Sequence, residues 1–523
     1  MKNTNRTGNS LLSDRQDKLL FFFILAVGCF IRLWKLGSIP SGVHQDEAYA
    51  GYEAFCLLHD GRDSWGCVWP VYFISWGSGM NILGSILMLP FVALFGLCSF
   101  AIRMPQAILA CLSLPAFYVL LSSLWDKKTG LIGMALLAIC PWHILLARWG
   151  MESNLAPALL LFGITFFALG LKKPAFHLLS ALFFGLALYS YAVIWLVVPS
   201  VLLLLLFYLL YVHGLPRLRL SYLFLLILIL FLMALPLFLF LLVNYGILPK
   251  ITTPFFSIPR LQFMRDTEMS LGFIKKGLLN VLHMLIFQED GETFNNAGAF
   301  GICYFLSLPF FLIGFARLLR DAVLSLKKRL PDGSVPILIF FFIPFFTGCL
   351  TDGDIIRINA LILPFLVIVT CGIRTSFLWM KKHFPAGRTA IIAAYALLFL
   401  CFSGYYFGNY AKELELPFQS GLSDALSRAE DLTGSGKIHV SSDIEYPRIL
   451  FWDQTDPEEF RSTILYQEMG QAFLQPVSFT RFVYDLDGST PASGVLLLSP
   501  YDDPADYPGY TFETYGVITV AWK

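Results

Sequence analysis

Charge is what this sequence has least of. Only 14% of its 523 residues are Asp, Glu, Lys or Arg, while 57% are hydrophobic. A soluble domain of this size covers its core with more charge than that, so a soluble chain is excluded. Basic tracts that would follow a nucleic-acid backbone are missing and the net charge is +1, which leaves nucleic-acid binding without support. No Cys/His spacing resembles a zinc site. No internal repeat occurs, and no low-complexity stretch beyond Leu and Phe runs. No small-residue cleavage site follows the first apolar segment, so it reads as a retained span rather than a removed signal peptide.

What is present is apolar length. The chain has 50 Phe and long Leu-rich runs, and stretches of about 18 or more apolar residues read as membrane-spanning helices. The pattern predicts eleven spans, near 19–36, 104–124, 131–148, 155–171, 176–193, 195–212, 221–243, 300–319, 335–350, 356–375 and 389–408. Basic clusters mark cytoplasmic loops: Lys127-Lys128, Lys172-Lys173, Arg217 with Arg219, 317–329, and Lys381-Lys382 with Arg388. They put the N-terminus on the cytoplasmic side of a multi-pass cytoplasmic-membrane protein and the C-terminal region on the extracytoplasmic side. Segment 81–100 is apolar enough to cross, yet crossing would move Lys127-Lys128 outside. It is expected to be a helix packed at the outer surface.

Composition changes after Tyr410, where residues 410–523 hold 18 Asp+Glu against 7 Lys+Arg. The pattern predicts helices over 422–432 and 457–471, and strands over 437–442, 448–452, 494–499 and 517–522. The expected organisation is a transmembrane domain over 1–410 and a small soluble extracytoplasmic α/β domain over 411–523. Eight of the ten cysteines fall in or beside apolar segments, where Cys acts as a small hydrophobe. Cys56 and Cys67 share the first outer loop, where they either pair or stay free thiols.

Four polar stretches then converge on the outer face. They are the first loop (37–80), the turn Arg148-Trp-Gly-Met-Glu152-Ser-Asn154, the long segment 245–299, and Thr351-Asp-Gly-Asp354-Ile-Ile-Arg357-Ile-Asn359. The long segment is expected to hold an amphipathic surface helix over 260–276. Carboxylates beside a bilayer are costly and mark functional sites by default; the plain alternative is a solvated loop or helix cap. The first loop has an adjacent pair, Asp46 and Glu47. A carboxylate can take the proton of an attacking hydroxyl, and a departing phosphate needs cationic stabilisation. His44 could bind an acceptor or a metal, although a lone loop His is more often structural. Glu152 follows Arg148 by four residues, a spacing that makes a local ion pair on a helix end or leaves both for substrate. Arg357 can grip a phosphate bidentately, with an ion pair to Asp352 or Asp354 as the competing role, and Asn359 could add a hydrogen bond. Arg260 and Arg265 could contact an anionic carrier headgroup or other membrane lipid.

Gly42-Val-His-Gln-Asp46-Glu47-Ala-Tyr-Ala-Gly-Tyr52 is followed in order by three further motifs. These are Phe73-Ile-Ser-Trp-Gly-Ser-Gly-Met-Asn81, Phe100-Ala-Ile-Arg103-Met-Pro105 and Pro141-Trp-His143-Ile-Leu-Leu-Ala-Arg148. Over roughly 20–410 the chain resembles the GT-C membrane glycosyltransferases, in the bacterial branch similar to protein O-mannosyltransferases and aminoarabinose transferases. The resemblance implies a polytopic α-helical GT-C fold and an inverting enzyme. Such an enzyme moves a hexose or pentose from a polyprenyl-phosphate donor to a hydroxyl of a glycan, lipid or protein. Asp46 matches the position of the base, Glu152 an acidic residue of the second outer turn, and Arg357, by position, a phosphate-binding basic residue. No cofactor is certain; a divalent cation, found among more distant relatives, stays open. Many relatives carry Lys-Pro-Pro after the first-loop Trp-Gly, where this chain has Ser78-Gly-Met-Asn81; if that lysine helps bind the donor phosphate in relatives, another group must serve here. A transporter or flippase of lipid-linked sugars is the alternative, but it would hold its polar groups near mid-membrane, where these spans are nearly free of charge. A membrane scaffold would leave Asp46, Glu152 and Arg357 unexplained.

Overall fold

The computed structural model describes residues 15–213, 220–265, 270–351, 353–486 and 494–523. Arg217 and Arg219 of one predicted cytoplasmic cluster, and Asp352, lie outside the described residues.

Apolar length becomes helix along most of the chain. In order come α1 (Arg15–Leu33), α2 (Gln45–Asp60), α3 (Leu83–Phe95), α4 (Ser99–Leu124), α5 (Lys127–Ile139), α6 (Pro141–Leu146), α7 (Leu155–Gly170), α8 (Phe176–Ala187), α9 (Ile194–His213) and α10 (Leu220–Asn244). A short hairpin, β1 (Ile251–Thr252) and β2 (Ser257–Ile258), precedes α11 (Ile274–Phe287), α12 (Ser307–Lys328), α13 (Ser334–Cys349), α14 (Asn359–His383) and α15 (Pro385–Tyr406). Every predicted span overlaps a helix, and 131–148 overlaps two, α5 and α6. Among the described residues six stretches are long and apolar enough to cross a membrane: Ser99–Leu124, Glu152–Gly170, Ile194–Val212, Ser221–Asn244, Asn359–His383 and Pro385–Tyr406. The remaining predicted spans fall on shorter or charge-bearing helices, such as α8 with 12 residues and α12 with Arg317, Arg320 and Asp321.

Three predicted helices are corrected. Span 131–148 breaks at Cys140, because Pro141 lacks an N–H and opens a new helix. Of the surface helix expected over 260–276, residues 266–269 lie outside the described residues; among the described ones, the α-helix begins at Ile274. The helix expected over 457–471 stops at Thr463. The 13 residues of α3 rise about 20 Å, less than the roughly 30 Å hydrocarbon layer, as do the 13 of α5 and the 12 of α8.

After α16 (Asn409–Glu413) the chain builds a sheet domain from α17 (Leu422–Thr433), β3 (Ile438–Val440), α18 (Tyr446–Asp453), α19 (Pro457–Thr463), β4 (Leu465–Tyr466), β5 (Pro476–Phe479), β6 (Phe482–Val483), β7 (Val495–Leu498), β8 (Thr511–Tyr515) and β9 (Ile518–Trp522). The strands lie in the order β4-β5-β6-β3-β7-β9-β8, with β3 parallel to β6 and β7 and the other pairs antiparallel. The strand expected over 448–452 is helix α18. Its apolar run Ile449-Leu450-Phe451 is wholly buried, a pattern that strand and helix share, and Pro447 in the first turn starts the helix. One core joins this domain to α2 and α3: Tyr49, Tyr52 and Met88 pack with Leu426, Ile449, Phe451 and Leu497. A separate, larger core fills the helical bundle.

Candidate active site

Two buried arginines shape the approach to α2. Arg148 donates to the carbonyls of Ile31 (2.9 Å), Arg32 (3.1 Å), Lys35 (3.1 Å) and Ile39 (3.0 Å), and through Nε to the Tyr406 hydroxyl (2.9 Å). Arg103 donates to the carbonyls of Leu36, Pro40 and Gly42 and reaches Glu47 at 2.6 Å. The chain leaving α1 is thereby clamped carbonyl by carbonyl. Gly42, at φ 81°, lies against the Phe418 carbonyl, where a Cβ would collide, and Val43 N–H donates to the same carbonyl (2.9 Å).

The first turn of α2 sorts the acidic pair. His44 is the N-cap: its Nδ1 accepts from Asp46 N–H (3.3 Å), and its own N–H donates to Glu47 Oε1 (3.1 Å), the reciprocal capping box. Glu47 also accepts from Gly150 N–H (2.6 Å) and from both Nε and Nη2 of Arg103, and is fully buried. Glu47, expected with Asp46 among the catalytic residues, is held in this fold as a buried strut. His44 packs among Trp149, Phe294 and Phe418. Burial, then the charge of Arg448, pushes its pKa down to about 3, so the imidazole is neutral and serves as a cap. Asp46 keeps 28% of its side chain exposed. Burial raises its pKa to about 6; Arg448 and Arg265 pull it down, while Glu445 and Glu47 push it up.

Glu152 begins a single turn of 3-10 helix, Glu152–Asn154, ahead of α7. It is buried and accepts the backbone N–H of Asn81, so the end of the first loop is tied onto this turn. The expected Arg148–Glu152 ion pair is absent, since the donors of Arg148 are bonded elsewhere. Gln106 Nε2 donates to Met151 O (2.6 Å). Gln106 Oε1, Ser153 Oγ and Asn154 Nδ2 are buried without a hydrogen-bond partner, a set of polar atoms that calls for water or a hydroxyl-bearing ligand.

Arg265 arrives from the long segment. The N–H groups of Gln262 and Phe263 both donate to Gly77 O (2.9 Å), and the guanidinium lies 5.1 Å from the Phe473 ring centroid. Its charge acts on Asp46, Glu152 and Tyr72 alike. Arg260 is exposed, two residues beyond the end of β2 in the chain. Arg357 N–H donates to Asp354 Oδ1 (2.8 Å), and its charge opposes the burial that raises the Asp354 carboxyl. Asn359 accepts from Trp142 Nε1 (2.9 Å) and faces Asn154 Oδ1 (3.4 Å). Its amide ties α14 to α6 and to the 152–154 turn. Arg148, expected to pair with Glu152 or to contact substrate, clamps the chain leaving α1 in this fold.

The structure thus gathers Asp46, Glu152 and Arg265, and adds Arg448 from α18. Sequence reasoning gave Arg103 and Arg448 no role. Arg103 stood in a quoted motif, but nothing local reveals that its partners are carbonyls some 60 residues upstream. Arg448 lies 403 residues from its partner Gln45. Cys56 and Cys67 are buried free thiols. Among the described residues no group of three or more His, Cys, Asp or Glu could hold a metal ion.

Residues 69–240 match the family model of dolichyl-phosphate-mannose-protein mannosyltransferase, a match that begins beyond Asp46. No curated protein matches the chain. Among solved structures, ArnT from Cupriavidus metallidurans in the apo state aligns with a TM-score of 0.55 and 14% identity, covering 96% of this chain and 97% of that one. ArnT bound to undecaprenyl phosphate aligns with a TM-score of 0.55 and 13% identity, covering 97% and 98%. The chain is a membrane protein with the GT-C fold of membrane glycosyltransferases, shared with ArnT over nearly its whole length.

Proposed function

We propose that the chain transfers a sugar from a polyprenyl-phosphate donor to an acceptor hydroxyl at the outer face of the cytoplasmic membrane. The observation that carries this reading is the isolation of Asp46. Of two adjacent carboxylates, Glu47 is fully engaged by Arg103, His44 and Gly150, while Asp46 stays partly exposed with a pKa near 6. A base of that strength is ionised at neutral pH and still able to take a proton. In the step, the acceptor oxygen attacks the anomeric carbon as its proton passes to Asp46. The carbon–oxygen bond to the phosphate breaks on the opposite side, and configuration inverts. The departing polyprenyl phosphate gains charge as it leaves. Arg265 is the cation placed to stabilise it, since it faces Asp46 and Glu152 together; Arg357 is the second candidate, on the neighbouring loop. Glu152 and the unpartnered polar atoms beside it are the groups assigned to the sugar ring. Support for the carrier class comes from ArnT, solved with undecaprenyl phosphate on the same fold. The reading puts the sheet domain and the segment 37–80 outside and the N-terminus inside.

The test is sugar transfer by the purified chain in lipid nanodiscs, with a panel of polyprenyl-phosphate sugars. Asp46→Asn is expected to lose at least about a hundredfold in rate. In wild type the rate is expected to rise through about pH 6 and level off above it, because the carboxylate is the active form. Wild-type turnover by folded Asp46→Asn would sink the assignment.

A further inference from the structure

We propose that Arg448, on α18 of the sheet domain, is a positioning residue that keeps Asp46 ionised and makes that domain part of the reaction site. The inference rests on Asp46 being the base. Arg448 is 3% exposed. It is anchored on Glu445 Oε2 (2.6 Å) and Pro417 O (2.8 Å), and reaches Gln45 Oε1 (3.4 Å), the neighbour of Asp46. Its Nε is buried without a partner. A guanidinium held this way is a poor choice for packing alone, because an unmet buried N–H and a desolvated cation both cost stability. What it supplies is field.

The groups that face Asp46 can be set out by element. From α2 and its cap come Glu47 and the neutral His44, and from the 152–154 turn comes Glu152. The long segment contributes Arg265, and α18 with its cap contributes Arg448 and Glu445. Burial raises Glu152 to about 8 and leaves it mostly protonated, so Glu47 and Glu445 stand against Arg265 and Arg448, and Arg448 exerts the stronger pull of the two cations. α18 cannot drift from α2. A Cβ on Gly51 would meet the Phe451 ring at 3.1 Å, and Tyr52 OH donates to Thr455 O at 2.9 Å.

The experiment uses the full chain in nanodiscs as wild type, Arg448→Lys and Arg448→Met, each checked for folding by thermal melt. Two readouts are followed across the acidic-to-neutral range. One is the rate of sugar transfer; the other is carbodiimide–amine labelling of Asp46 by peptide mass spectrometry, which reads the protonated carboxyl without turnover. In Arg448→Met the labelling midpoint and the acidic limb of the rate are expected to move up together by about one pH unit, with Arg448→Lys moving less. An unchanged labelling midpoint in folded Arg448→Met overturns the proposal, as does a rate loss uniform in pH. If Arg448→Met does not fold, Glu445→Gln probes the same field with opposite sign. Its midpoint is expected to fall, and no movement overturns the proposal. If wild type transfers no sugar, the reaction reading fails, while the labelling midpoints still decide whether Arg448 controls Asp46.

Discussion

At the scale of single residues, the sequence shows an acidic pair and the fold assigns the two members different roles. The cost of carboxylates beside a membrane drew attention to Asp46 and Glu47 together, and nothing in their local sequence separates them. The separation comes from Arg103, which lies 56 residues away and pairs with Glu47 alone. The same limit explains Arg265 and Arg357, two arginines on polar loops told apart only by which carboxylates their loops meet. Opposite stability effects follow for the pair. Glu47→Gln leaves the Arg103 guanidinium buried without its counter-ion, a change that costs about 3–5 kcal/mol, so a clear fall in melting temperature is expected by scanning fluorimetry. Asp46 has the other sign. Its folded pKa is raised above the ordinary value, so its contribution to stability is present at low pH and lost as pH rises through about 6. Asp46→Asn is therefore expected to melt no lower than wild type at slightly alkaline pH. Equal melting of the two variants would contradict the division of roles.

At the scale of elements, helices were legible wherever apolar length was the signal, because that signal is local and the membrane demands it. The misread 448–452 run was too short for length to decide between strand and helix. Packing between helices was not legible at all. Gly314 of α12 and Gly372 of α14 lie back to back: a Cβ on the first would collide with Ile368 O, and on the second with Phe310 O. The obstacles are backbone atoms, so no rotamer change relieves them, and small residues are what allow two membrane helices so close. Gly372→Val is expected to wedge α12 from α14 at a cost of about 3 kcal/mol or more, seen as loss of monodisperse protein on size exclusion. Gly404→Ala on α15 meets nothing within 4 Å and is expected to behave as wild type. If both variants run alike, this close approach is not what holds the helices together.

At the scale of the whole molecule, composition drew a boundary near residue 410, and packing joins what lies on either side. The acidic tail looked like an appendage because charge and hydropathy are averages over a window, blind to which apolar faces meet. In the fold, most of the core of α2 and α3 is shared with the sheet domain. Trp65 stacks on Tyr466 with centroids 5.3 Å apart, Leu474 N–H donates to Trp76 O at 2.8 Å, and Arg461 pairs with Asp60. Each contact fixes part of the stretch between Asp46 and Asn81. A chain ended at Ser420 keeps Tyr410, Leu414 and Phe418, which belong to the bundle core, and removes only the sheet domain. It would uncover the side of α2 that packs on α18 and take away Arg448 at the same time. Such a truncation is expected to lose the compact first loop, so that limited proteolysis cuts within 45–80 while the bundle helices stay protected. If that loop resists cleavage as it does in the full chain, the sheet domain is an appendage after all and α2 holds Asp46 in place without it.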